Sequence, residues 1–213
     1  VDVVAYSASI SACSKGGRWE LAISSFARMR SRGLEENVVT CGAVISAHGR
    51  GRRWASALGL WHGMCLQGLE PNAVTCGAAL SACEKCQEWE AAIGLMEGLC
   101  NWHLKPTLVM CNAMVSACEK GGQWERALVF LEEMRRFRIE ADVITYGALA
   151  SACEKARQWE RTLQLHGDMQ DLALLQDVVA CNAAVSACEK GGVWERALMV
   201  LGQMQRNGPQ PDE

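Results

Sequence analysis

SACEKGGQWERAL, residues 116–128, returns at 186–198 as SACEKGGVWERAL with one residue changed. The tryptophan inside that stretch belongs to a series, Trp19, Trp54, Trp89, Trp124, Trp159 and Trp194, spaced 35 residues apart with no insertion or deletion. A strict period in this range marks a solenoid, in which each unit buries its apolar face against its neighbours. The chain therefore divides into a single array of six units, 3–37, 38–72, 73–107, 108–142, 143–177 and 178–212. Val1 and Asp2 then read as the end of a preceding unit and Glu213 as the start of another, so a longer parent array is expected.

Within a unit, two amphipathic stretches flank a short polar break. The second begins at the tryptophan and continues at helical spacing, as in Trp159, Thr162, Leu163, His166 and Met169, or Trp194, Ala197, Leu198, Leu201 and Met204. That spacing is one face of a helix. The break, Gly121-Gly122 or Gly191-Gly192, suits a tight turn that leaves the first helix through a left-handed residue. Each unit is thus expected to be helix, turn and helix, and the fold all-α. The first helix carries alanine at two places four residues apart: Ala8 and Ala12, Ala43 and Ala47, Ala78 and Ala82, Ala113 and Ala117, Ala148 and Ala152, Ala183 and Ala187. Small side chains one turn apart allow neighbouring backbones to approach closely, so these alanines are assigned to stacking.

Composition limits the function classes. The 213 residues are 50% hydrophobic and 21% charged, enough for a sizeable core. No run of eighteen apolar residues occurs, so no membrane span is expected. The chain opens at Val1 with no basic segment followed by an apolar one, so a targeting peptide is expected to be absent or removed. Most of the twelve cysteines recur in columns and none sits in a Gly- and Pro-rich loop, which reads as buried reduced thiols rather than a disulfide framework. There is no Asn-x-Ser/Thr acceptor, in keeping with an intracellular protein. A net charge of -3 disfavours a partner held by bulk electrostatics, so a nucleic-acid ligand would need a localised set of cations.

Such a set exists. In the fourth unit Val109, Asn112, Ser116 and Lys120 lie within about 80° of one another on a helix and form one stripe, too polar for a core. The first unit has Val4, Ser7, Ser11 and Lys15 in the same register. Every copy ends in a cation: Lys15, Arg50, Lys85, Lys120, Lys155 and Lys190, a ladder expected to contact phosphates. The alternative is that these cations favour the dipole at the end of the first helix. Glu84, Glu119, Glu154 and Glu189 precede four of them and dilute the field.

A 35-residue unit opening VVTCG (38–42) or VITYG (143–147), carrying Lys ahead of a Gly-rich turn and closing on Pro71-Asn72 or Pro211-Asp212, resembles the pentatricopeptide repeat family over essentially the whole chain. The resemblance implies a right-handed α-solenoid superhelix that binds single-stranded RNA at about one base per repeat, without cofactor, in organellar RNA processing, stability, editing or translation. It implies a chloroplast or mitochondrial setting. By the same resemblance the fifth residue of each repeat contacts a base edge, the last sets discrimination, and the apolar second residue sandwiches the base. The base-reading pairs are then Ser7 with Asn37, Gly42 with Asn72, Gly77 with Thr107, Asn112 with Asp142, Gly147 with Asp177, and Asn182 with Asp212. The sandwiching residues are Val4, Val39, Val74, Val109, Ile144 and Val179. The family code reads Asn with Asp as uridine and Ser or Thr with Asn as adenine, which implies a target A-A-any-U-G-U. Gly42, Gly77 and Gly147 have no side chain to read an edge and Thr107 is an unusual closing residue, so those repeats depart from the pattern.

Other constellations carry less. Cys83-Glu84-Lys85-Cys86 is a lone CxxC without the second pair a structural zinc site requires. Cys83 belongs instead to the column of Cys13, Cys118, Cys153 and Cys188, where His48 also sits, and Cys41, Cys76, Cys111 and Cys181 form a second column. Both columns read as small buried hydrophobes. His48, His62, His103 and His166 share no carboxylate or nucleophile, so no catalytic site and no small-molecule substrate is expected in this segment. The six tryptophans, each opening an apolar face, are assigned to the core rather than to base stacking. The competing reading is a tetratricopeptide-like scaffold with protein partners on the solenoid surface, but that family runs on 34 residues and has no reason to keep Lys at the end of helix one.

Overall fold

The computed structural model describes residues 2–102, 104–172, 174 and 178–207, and among them it holds twelve α-helices and no strand. First helices of the pairs are α1 (Val3–Lys15), α3 (Val38–Arg50), α5 (Ala73–Cys86), α7 (Leu108–Lys120), α9 (Val143–Lys155) and α11 (Val178–Gly191). Second helices are α2 (Trp19–Ser31), α4 (Trp54–Leu66), α6 (Trp89–Gly98), α8 (Trp124–Arg136), α10 (Trp159–Asp171) and α12 (Trp194–Asn207). A short 3-10 turn over Leu99–Trp102 prolongs α6. The chain forms two compact units, Val1–Ala117 and Cys118–Glu213.

In the first unit α1 packs on α3 and α3 on α5, while α2 and α4 each contact the first helix of their own pair and of the next. The second unit repeats this, with α9 on α11 and α10 against both. Stacked helix pairs of this kind are an α-solenoid. The buried faces follow columns. Met29, Met64, Leu99, Met134 and Met169 share one register on the second helices, and all are at most 1% exposed. Ile10, Ala22, Phe26, Met29, Val44 and Ala47 form one core cluster of the first unit. The stacking role of small residues is visible where a Cβ on Gly49 of α3 would lie 3.1 Å from the Ala82 methyl of α5. Ala12 of α1, at the register of Ala82, and Ala8 one turn before it remain exposed.

Four of the first helices start on a side-chain cap. Asp2, Asn37, Asn72 and Asp142 accept from backbone N–H groups of the first turn. In three of them Thr40, Thr75 or Thr145 closes a reciprocal capping box, with cap distances of 2.8, 2.9 and 2.9 Å. Each threonine is buried.

Each first helix ends the same way. The N–H groups of Arg18, Arg53, Glu88, Gln123, Gln158 and Val193 donate to the carbonyls of Cys13, His48, Cys83, Cys118, Cys153 and Cys188 at 2.9–3.0 Å. This six-to-one closure is a Schellman turn, and it needs a left-handed residue one position earlier. Gly17, Gly122 and Gly192 take that place at φ of 75°, 70° and 69°, but Arg52, Gln87 and Arg157 take it at 54°, 67° and 58°. The turn expected of glycine pairs is thus imposed equally on units that lack the glycine.

A non-glycine residue in the left-handed region costs about 1 kcal/mol. Gln87→Gly and Arg157→Gly are therefore expected to raise unfolding stability by about 0.5–1 kcal/mol each, and Gly122→Ala to lower it by a similar amount. Urea denaturation followed by circular dichroism checks both directions.

Candidate nucleic-acid interface

The most exposed feature shared by the first helices is apolar. Val4, Val39, Val74, Val109, Ile144 and Val179 occupy the second helical residue in register, and each is between 55% and 74% exposed. Single exposed aliphatics are common, but a β-branched residue repeated at one register in every pair is a row of contact points.

Three residues further along the same face lies the fifth residue of each unit. Asn182 is exposed, while Ser7 and Asn112 are half-buried. The Ser7 hydroxyl donates to the Val3 carbonyl at 2.8 Å. The glycines are not equivalent. Gly42 is buried, with its Cβ direction 3.2 Å from the Thr75 methyl, whereas Gly77 is half-buried and a Cβ there meets nothing within 4 Å. Gly147 is buried.

Asn37, Asn72 and Asp142, the last residues of their repeats, are each the N-cap of the following first helix. For Asn37, Asn72 and Asp142 the cap engages Oδ1, leaving Nδ2 of the two asparagines outside the box. Thr107 makes a weaker version, its hydroxyl accepting from the Met110 N–H at 3.4 Å. Asp177 and Asp212 lie outside the described residues.

The cations at the ends of the first helices, Lys15, Arg50, Lys85, Lys120, Lys155 and Lys190, are all exposed. Their surroundings differ. Lys155 bonds Glu119 of the preceding pair, and Lys190 bonds Glu154 at 2.5 Å. Ser151 and Ser186 donate to the same carboxylates at 3.1 and 2.7 Å, and Ser116 donates to Glu84 at 3.0 Å. The serine of the polar stripe is thus a stacking contact. The sequence reading placed each glutamate beside the lysine that follows it, and missed that Glu119 and Glu154 reach the lysine 36 residues on. The offset, one repeat plus one residue, was the available signal. Arg50 Nη1 instead donates to the Lys15 carbonyl at 3.0 Å, and Arg52 Nη2 to the Lys85 carbonyl at 3.0 Å.

The tryptophans depart from the core assignment. Five are half-buried and Trp194 is 67% exposed. Trp19 and Trp159 cover the next turn: a Cβ on Gly51 would sit 2.8 Å from the Trp19 ring, and one on Gly191 would sit 2.6 Å from Trp159. The Arg53 guanidinium lies 5.4 Å over the Trp19 ring.

Of the two cysteine columns Cys41, Cys76, Cys83, Cys111, Cys118, Cys153, Cys181 and Cys188 are buried and Cys13 is half-buried, and none of them is in a disulfide. Burial pushes the Cys83 thiol up to about 12 and the Cys111, Cys118 and Cys153 thiols up to about 11, so these are protonated at neutral pH. Among the described residues no three His, Cys, Asp or Glu side chains gather as metal ligands. Among them, too, no helix is long and apolar enough to cross a membrane.

Glu154 sets a pH dependence. Partial burial alone would raise its carboxyl, but hydrogen bonds from Lys190 and Ser186 and the charges of Lys190 and Lys155 outweigh burial and hold it below 4.5. A depressed folded-state value contributes stability above the unfolded value and loses it as pH falls through the folded one. Glu154→Gln is expected to lower stability by about 0.5–1 kcal/mol at pH 7, discounted for the exposed lysine, and to match the parent chain in acid below the folded value. Denaturant melts at several pH values check this.

Comparison with known proteins gives these features a family. A PPR repeat model matches residues 4–34, 39–69, 144–173 and 179–209. A PPR repeat family model matches 106–155, and a pentatricopeptide repeat domain model matches 60–123. No curated protein matches the chain in sequence. Among solved structures, the pentatricopeptide repeat protein PPR10 from maize is 30% identical with a TM-score of 0.80, over 100% of this chain and 30% of its own. The same protein in complex with an 18-nt psaJ RNA element aligns over 99% of this chain and 29% of its own at 28% identity, with a TM-score of 0.69. The pentatricopeptide repeat domain of Arabidopsis thaliana protein-only RNase P 1, in complex with tRNA, shares the fold at 12% identity, with a TM-score of 0.73, over 84% of this chain and 95% of its own. The chain therefore spans less than a third of the maize protein's length. With model matches over more than half of its residues, the chain belongs to the pentatricopeptide repeat family.

Proposed function

We propose that this chain binds single-stranded RNA sequence-selectively, at about one base per repeat. The observation that carries the reading is the row of exposed apolar residues at the second helical position, Val4, Val39, Val74, Val109, Ile144 and Val179, which would sandwich successive bases. The fifth and last residues of each repeat read the base edge. Asn offers both donor and acceptor to a Watson–Crick edge, and Ser or Thr offers either. In the described residues these are Ser7 with Asn37, Gly42 with Asn72, Gly77 with Thr107, and Asn112 with Asp142, together with Gly147 and Asn182. Exposed cations at the ends of first helices, Lys15, Arg50 and Lys85 among them, contact the phosphates. An organellar setting, with a role in RNA processing, stability, editing or translation, rests on family resemblance alone.

Selection from a randomised single-stranded RNA pool at two salt concentrations tests the reading. Uridine should be enriched at the fourth and sixth positions, and Asn112→Ser with Asp142→Asn should move the fourth from uridine to adenine. Asparagine forms the same capping box at Asn37 and Asn72, so the exchange leaves the helix start intact. An unchanged preference in a folded variant counts against the code.

The glycine repeats give a second expectation. Gly77→Asn with Thr107→Asp should install a uridine preference at the third position, because a Cβ at Gly77 meets nothing within 4 Å. Gly42→Asn should destabilise, because the Thr75 methyl stands 3.2 Å from the new Cβ. Binding to RNAs differing at one position, with thermal melts, reads both.

A further inference from the structure

Two kinds of cation end the first helices, and the second kind is already engaged. Lys155 and Lys190 each close on a carboxylate of the preceding pair, Glu119 and Glu154, whose side chains are 12% and 14% exposed. Ser151 and Ser186 hold those carboxylates in place. The result is a three-membered staple of glutamate, serine and lysine. Its net charge is zero, and pulling the lysine away would leave a largely covered carboxylate without its counter-charge. In the first unit the position of these glutamates is held by Glu84, which accepts from Ser116, and otherwise by Ser14 and Gly49. The cations that would face them, Arg50 and Lys85, therefore meet no such carboxylate. The Arg50 and Arg52 guanidiniums bond the helix-end carbonyls of Lys15 and Lys85 at 3.0 Å, which fixes their placement without cancelling their charge.

We infer that the polyanionic backbone is gripped by Lys15, Arg50 and Lys85 of the first unit, while the staples withdraw Lys155 and Lys190 of the second from phosphate contact. The ligand chemistry is a single-stranded chain of phosphodiester or phosphate groups, and in its RNA form the inference rests on the reading above. Glu119 and Glu154 are then positioning residues that set how much field the ladder presents.

The experiment measures binding of the full chain to an oligouridine RNA and, separately, to inorganic polyphosphate, which has no bases, across a series of salt concentrations. Circular dichroism confirms that each variant is folded. Each phosphate contact contributes about 0.7 to the slope of log K against log salt for a single strand. Lys15→Ala, Arg50→Ala and Lys85→Ala should each flatten the slope by about that amount. Lys155→Ala with Lys190→Ala should leave it unchanged, and Glu119→Gln with Glu154→Gln should steepen it by about 0.7 for each lysine released. The inference is overturned if the Lys155 and Lys190 pair flattens the slope as the first-unit cations do, or if the two glutamine variants do not steepen it. If polyphosphate shows the expected pattern while RNA does not bind, RNA recognition fails and the anchoring assignment stands. If neither polyanion binds, both fall.

Discussion

The constraint on which the other features depend is the closure at the end of each first helix. One backbone bond, from Gln123 to Cys118 or from its counterparts, fixes the residue at which the helix stops. It is made identically in all six pairs, with or without glycine in the left-handed place. Because the stop is fixed, the cation falls in the last turn and the tryptophan opens the next helix four residues later. That tryptophan then meets the turn of the following pair, as Trp19 meets Gly51 and Arg53. A local hydrogen bond thus becomes a contact between repeats, and one residue of slip would lose it. The absence of insertions follows from this geometry more directly than from the core, where methionine and leucine interchange at Met64 and Leu99.

The opposite end of the helix shows how a structural position can vary without structural consequence. Three residues that discriminate bases in the proposed reading, Asn37, Asn72 and Asp142, are caps of the next helix, and capping requires only one oxygen at the right distance. Asn72 and Asp142 supply it at the same 2.9 Å. Asparagine and aspartate differ in the other atom of the group, donor in one and acceptor in the other. Specificity can therefore change by one atom while the fold remains unaltered. Glycine at the fifth residue is a different matter, since it alters backbone spacing as well as chemistry.

Much of this was legible in the sequence. The period placed every helix start, the glycine pairs marked the turns, and the cysteine columns were recognised as interior. What escaped notice were relations between repeats. The left-handed conformations of Arg52, Gln87 and Arg157 carry no local signal, since they are imposed by units closing in common. The tryptophans look like core residues in a helical projection, yet their partner is a turn in the next pair, so they end half-buried. Gly42 and Gly77 are equivalent in sequence register. Only the neighbour separates them, because the third residue of the following repeat is Thr75 for Gly42 and Met110 for Gly77, and only Thr75 stands within 4 Å of the glycine's Cβ direction. A capping box locks the β-branched threonine in place, and its methyl closes the space.

The same logic governs the electrostatics. A chain of net charge -3 can bind a polyanion only if the relevant field is local, and salt makes it so, since charges beyond about 8–10 Å are largely screened. What matters is then whether each cation has a counter-charge at contact distance. For Lys155 and Lys190 that is decided by a glutamate in the preceding pair, which ties stacking to binding. A carboxylate held by serine and lysine from the next repeat fixes the stacking register and quenches the field at the same point. Where glycine replaces it at Gly49, the Ala82 methyl of the next first helix lies 3.1 Å from the glycine's Cβ direction, and no carboxylate at that place quenches the cation of the next pair. On the inference above, stacking by carboxylate and anchoring by cation exclude one another at a given interface, so an array that needs both must divide them between repeats.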